Sequence, residues 1–224
     1  MTATRRRRGT LAGALILLVL AFVALGLWQM QRRTWKHALI ARVESRVHAP
    51  PAAAPATSSA QDAYRRIRAT GHFLPRNTLV RAVSDLGAGY WVMTPLDTGR
   101  VVLLVNRGFI AQEARDRVGP PPSGPATVTG LLRISEPDGG FLRANDPTGE
   151  RWYSRDVAAM SRALGLSRVA PYFIDADDRD NGPGKPVGGL TVVRFADNHL
   201  VYALTWFGMA GLSAWAARYV LRRR

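Results

Sequence analysis

The side chains that could do chemistry near neutral pH are few, and four of them are histidines: His37, His48, His72 and His199. No two stand at the helical spacing that lets a pair grip one ion, so a multi-histidine metal site is not expected. Cysteine is absent, which removes disulfides, thiolate nucleophiles and thiolate copper chemistry. There is no G-x-S-x-G, no H-E-x-x-H and no phosphate-cradling P-loop. Carboxylates such as Glu113, Asp116 and Glu136 are scattered and read as surface charges rather than an acid–base pair. The run DADDRDNGPGKP gathers Asp177, Asp178, Asp180 and Asn181, but its spacing fails the EF-hand pattern and it reads as a solvated loop. No catalytic constellation emerges, so an enzyme is not expected.

The elements that must carry these residues show in the hydropathy pattern. A chain of 224 residues suffices for one domain with membrane anchors. Its mean hydropathy of -0.07 hides two apolar blocks around a polar middle. Residues 10–30 (TLAGALILLVLAFVALGLWQM) carry no charge and can cross roughly 30 Å of hydrocarbon as a helix. Trp28 falls where an interfacial aromatic belongs. The run continues into LWQMQRR, a poor cleavage site, and so reads as an uncleaved anchor rather than a signal peptide. Residues 200–220 hold one charge, Arg218, near the end, where it can snorkel. Ala210, Ala214 and Ala217 share a face with Gly211 beside them. Small residues there either admit another helix or are ordinary lipid-facing composition.

The net charge is +15. Arg5, Arg6, Arg7 and Arg8 precede the first block, and Arg218, Arg222, Arg223 and Arg224 close the second. These tails place both ends in the cytoplasm by the positive-inside rule, although Arg32, Arg33 and Lys36 on the far flank of the first block oppose it locally. The expected layout is a cytoplasmic tail at 1–9, a membrane helix at 10–30, a periplasmic domain at 31–199, a second membrane helix at 200–220 and a tail at 221–224. Only nine residues precede the first span, little room for a mitochondrial presequence, so the bacterial inner membrane is the expected setting. The basic excess is thus largely a topology signal. No basic face with stacking aromatics appears, so membrane lipid is an expected partner and nucleic acid is not.

The middle reads as strand-rich. Residues 31–47 continue the first helix, with Trp35, Leu39 and Val43 on one apolar face, and 49–61 form a Pro/Ala/Ser linker. Short β-like runs follow at 64–73, 78–83, 90–96, 101–110, 127–134, 172–175 and 190–195. The run VVLLVNRGFI is continuous enough for a central buried strand. In it, Arg107 reads first as a buried ion pair and second as a partner contact, and Gly108 as a point of close backbone approach. Residues 156–164 suit a short helix ended by Gly165. The fold class is an α+β membrane protein, two terminal transmembrane helices flanking a strand-rich periplasmic domain with one or two short helices.

Five segments in order resemble the SURF1 family of cytochrome c oxidase assembly proteins. They are LGLWQMQRRTWKHALI, ATGHFLPRNTLVRAV with GAGYWVMTPL, VLLVNRGFI, ERWYSRDVAAMSRALG and DNHLVYALTWFGMAG. Together they span nearly the whole chain, while the PPPSGP and DADDRDNGPGKP loops look local to it. The resemblance implies a non-enzymatic assembly factor that helps haem a reach the oxidase catalytic subunit, with haem a synthase a further candidate partner. It also implies that His199, in the Asn-His-Leu-x-Tyr-Ala segment, is the candidate axial ligand, by way of the haem iron alone. Arg194, Arg32 and Arg33 are then candidates for pairing with propionates, or for snorkelling to lipid phosphate. Trp28 and Trp206 are candidates for walling an apolar slot, or for an interfacial belt. Two other readings stand beside this one: a scaffold that binds the catalytic subunit without haem, and an unrelated anchored periplasmic domain.

Overall fold

A computed structural model describes residues 2–140, 142–177, 185–191 and 197–222. The chain divides into two units, residues 1–42 with 194–224, and residues 43–193.

The first unit is built on two helices. Helix α1, Thr2–Val47, runs without a break through the apolar block and the segment after it. Its 46 residues make a rod of about 69 Å, roughly twice what a bilayer core needs. Helix α3, His199–Arg222, has 24 residues. Both are long and apolar enough to cross a membrane. On α1 the less exposed positions recur at 12, 15, 19, 22, 26, 29 and 33, the alternating three–four spacing of a helix–helix seam. On α3, Ala203, Ala210 and Ala217 are buried at seven-residue intervals. The small-residue face is therefore Ala203–Ala210–Ala217, while Ala214 is exposed. Phe22 stacks on Trp206 with centroids 5.7 Å apart, and a Cβ on Gly26 would strike the Phe207 ring. Glycine is what lets the helices approach there. Farther along α1, Val43 is buried but Trp35 is 54% exposed, so the expected apolar face holds at one end only.

The second unit is a seven-stranded sheet. Its strands are β1 (Ala52–Ala53), β2 (Arg66–Phe73), β3 (Thr78–Ser84), β4 (Gly87–Asp97), β5 (Val102–Ala111), β6 (Pro125–Ile134) and β7 (Val169–Ala176). They lie in the order β1-β2-β6-β7-β5-β4-β3. A further pairing, His72 with Asp97 and Phe73 with Leu96, joins β2 to β4 and closes β2, β6, β7, β5 and β4 into a ring. Gly71 allows this closure, because a Cβ there would meet the Asp97 carbonyl. Strand β1 lies inside the segment read as a linker, and it pairs parallel to β2. The strand expected at 190–195 falls largely outside the described residues.

Strands β5 and β7 are buried on both faces, which is why β5 reads as one apolar run. Leu103 and Val105 join Ile67, Leu132, Tyr172 and Ile174 inside the ring. Leu104 and Phe173 face the other way, onto Trp152, Val157 and Met160. Val157 and Met160 belong to the short helix α2 (Val157–Ala163), whose N-cap Asp156 accepts the Ala159 N–H. Gly165 follows at φ +64°.

Candidate functional site

Two polar clusters are built by residues distant in sequence, one in each unit. The first lies where α3 begins. Asp197 Oδ1 accepts the His199 backbone N–H at 3.2 Å, supplying an acceptor to one of the unpaired amides of the first turn. Asp197 Oδ2 lies 2.5 Å from His37 Nε2 and 3.8 Å from Arg33 Nε. The His37 hydrogen bond above all holds the Asp197 carboxyl below its usual range; burial opposes it, and the His199 backbone N–H reinforces it. His199 Nδ1 lies 2.8 Å from Gln29 Oε1. An amide oxygen only accepts, so Nδ1 carries the proton. The other ring nitrogen, Nε2, makes no hydrogen bond among the described residues.

The other sequence-predicted residues are placed as follows. Arg33 shares Asp197 with His37. Arg32 points its guanidinium at the Trp35 ring, 4.3 Å from the centroid. Trp28 is 54% exposed on α1, whereas Trp206 stacks on Phe22, so these two indoles are not ring partners. Arg194 lies outside the described residues. Sequence reasoning gave no site role to Gln29 or His37. Gln29 had a legible signal: it is a polar residue in a seam that is apolar or small at positions 12–26.

The second cluster sits on the outer face of β5 and β7. Asp175 is 4% exposed. It accepts from Asn106 Nδ2 at 2.8 Å, Arg133 Nη1 at 2.7 Å, Arg155 Nη1 at 3.2 Å and Thr191 Oγ1 at 2.9 Å. Glu136 completes it: Arg155 donates Nη2 to Oε1 at 2.5 Å and Nε to Oε2 at 3.0 Å. Burial alone would raise the Glu136 carboxyl, but Arg155 with help from Arg133 holds it below its usual range. Glu136 is therefore half-buried and doubly bonded, not the surface charge it resembles in the sequence. Arg107 corrects a second expectation, since among the described residues its Nη1 is buried with no acceptor. Its nearest aromatic is Phe73, 5.8 Å away.

Comparison with known proteins places the chain. Residues 16–211 match the profile of the SURF1 family. Surfeit locus protein 1 of Mus musculus is 36% identical over 93% of this chain and 75% of its own length. Its Homo sapiens counterpart is 34% identical over 90% of this chain and 74% of its own. The SURF1-like protein of Monosiga brevicollis is 32% identical over 100% of this chain and 92% of its own. With a profile match over most of its length and relatives covered this fully, the chain belongs to the SURF1 family.

Proposed function

We propose that this protein is an assembly factor, not an enzyme, for a haem–copper cytochrome c oxidase, and that it holds haem a on the way to the catalytic subunit. One observation carries the haem reading: the Gln29–His199 hydrogen bond. It turns Nδ1 toward Gln29 and leaves Nε2 as the nitrogen that would meet a metal, as an orienting partner does for a metal-bound histidine. The residues present fit one axial bond. Haem a, when bound, supplies an iron that takes one imidazole nitrogen. Asp197 ties the His199 backbone and His37 together and so fixes where the imidazole stands. Arg32 and Arg33 are the cations proposed to face the propionates. Trp28 and Trp206 offer apolar surface to the macrocycle or its tail.

In the same reading α1 and α3 span the respiratory membrane with the arginine tails in the cytoplasm, and the barrel unit stands on the opposite, periplasmic side. The basic tails support this orientation. The haem a synthase and the catalytic subunit are the proposed donor and acceptor partners. Complementation of a strain lacking the protein tests the function. Parent protein should restore the haem a absorbance of the oxidase, and His199→Ala should restore much less of it. A spectrally normal oxidase in the deletion strain would overturn the proposal.

A further inference from the structure

We propose that the barrel unit binds an organic anion, a carboxylate carried on an apolar body, in a cleft between β2, β5 and β6 where Arg107 is the principal cation. The cleft has a volume of about 690 Å³, in the range of sites that enclose small ligands. Its floor includes Phe73, Val105 and Val128, and the two valines belong to the barrel core. Arg68, Arg107 and Lys185 line it against one described carboxylate, Asp177. Asp177 is already ion-paired with Arg66.

Arg107 is placed there by the backbone. Alternation along β5 puts it in the inward row after Leu103 and Val105, where an apolar residue would ordinarily continue the core. On one side, Asn106 donates to Asp175 and accepts the Gly108 N–H at 3.1 Å. On the other, Gly108 takes φ +132°, and a Cβ there would strike the Val187 carbonyl. The Asn-Arg-Gly run thus locks the chain on both sides of the guanidinium. The nearby buried carboxylate, Asp175, is occupied by Asn106, Arg133, Arg155 and Thr191. Arg107 is left with a buried Nη1 that has no acceptor among the described residues, and burial pulls its pKa below the arginine range. A buried guanidinium nitrogen with no acceptor among the described residues is unfavourable in a way that Leu or Met at this position would avoid. A carboxylate would answer it, and the apolar floor would cover the rest of the ligand. This inference is independent of haem at His199.

Isothermal titration calorimetry on the full chain in phosphatidylcholine nanodiscs tests it, with empty nanodiscs as the blank. The probe is 4-phenylbutyrate; 4-phenylbutan-1-ol and inorganic phosphate present its two halves separately. Saturable binding of the carboxylate, about tenfold tighter than either half and lost in Arg107→Met, is expected. Lys185 is exposed, so Lys185→Met should fold normally and weaken binding about threefold. It decides the matter if Arg107→Met is misfolded. Equal affinity for carboxylate and alcohol, equal affinity in parent and variants, or no saturable binding by the parent would each overturn the assignment.

Discussion

The clusters around Asp175 in the barrel unit and Asp197 in the helical unit treat their polar groups in opposite ways. In the barrel unit, Asp175 accepts four hydrogen bonds from four residues, and Glu136 answers the remaining charge of Arg155. In the helical unit, Asp197 joins His37 to the first turn of α3, but the neighbouring Gln29–His199 pair ends on an imidazole nitrogen with no partner among the described residues. A saturated buried network fixes strand register and offers nothing to a ligand. A pre-oriented nitrogen is what a metal-bearing ligand needs. The contrast gives Asp175 structural work and supports the recognition role proposed for His199.

The most damaging way to break this comparison is Asp175→Ala. Arg133, Arg155 and Asn106 would lose their common buried acceptor, and we expect a stability loss of about 3–5 kcal/mol. Urea unfolding of the full chain checks it, and a loss below about 1 kcal/mol would show that the network is dispensable. In the helical unit, Gly26→Leu should drive Phe207 away and part the seam at a cost of about 1–3 kcal/mol. The chain has no cysteine of its own, so Phe22→Cys with Trp206→Cys can be crosslinked cleanly. Crosslinking should slow several-fold when Gly26→Leu is added, and unchanged crosslinking would refute close packing there.

A smaller effect sits inside the barrel. Tyr172 is fully buried, its hydroxyl donates to the Pro55 carbonyl at 2.6 Å, and burial pushes its pKa up to about 12. Folding therefore favours the neutral phenol. Stability is unaffected by this group below the unfolded pKa of about 10 and falls as pH rises from there toward 12, by up to ~1.4 kcal/mol per pH unit. Tyr172→Phe should cost about 1 kcal/mol at neutral pH and remove that alkaline slope. An identical slope in the variant would show that Tyr172 ionises freely.

Elements that rest on local pattern were legible in the sequence. The two apolar helices, α2 with Gly165 after it, and β5 as a buried strand all follow from composition and spacing along one stretch of chain. Strand β1 was not legible, because two alanines beside prolines carry no alternation and exist as a strand only through β2. Asp175 and Glu136 looked like surface charges because their partners come from other parts of the fold; Asn106 is 69 residues from Asp175. Ala214 looked equivalent to Ala210 and Ala217, but the seven-residue seam selects Ala203 instead. His199 became a candidate through the family resemblance, whereas Gln29, 170 residues away, needed the helix pair to bring it there.

The central claim, that His199 is a poised axial ligand, is tested most directly by the haem content of the purified full-length protein. Parent, His199→Ala and Gln29→Leu would be expressed in a host that makes haem a and compared by pyridine haemochrome spectra. We expect haem a on the parent, little on His199→Ala, and an intermediate amount on Gln29→Leu, whose imidazole keeps its nitrogen but loses its orientation. Haem a on His199→Ala at the parent level, or none on the parent, would contradict the account.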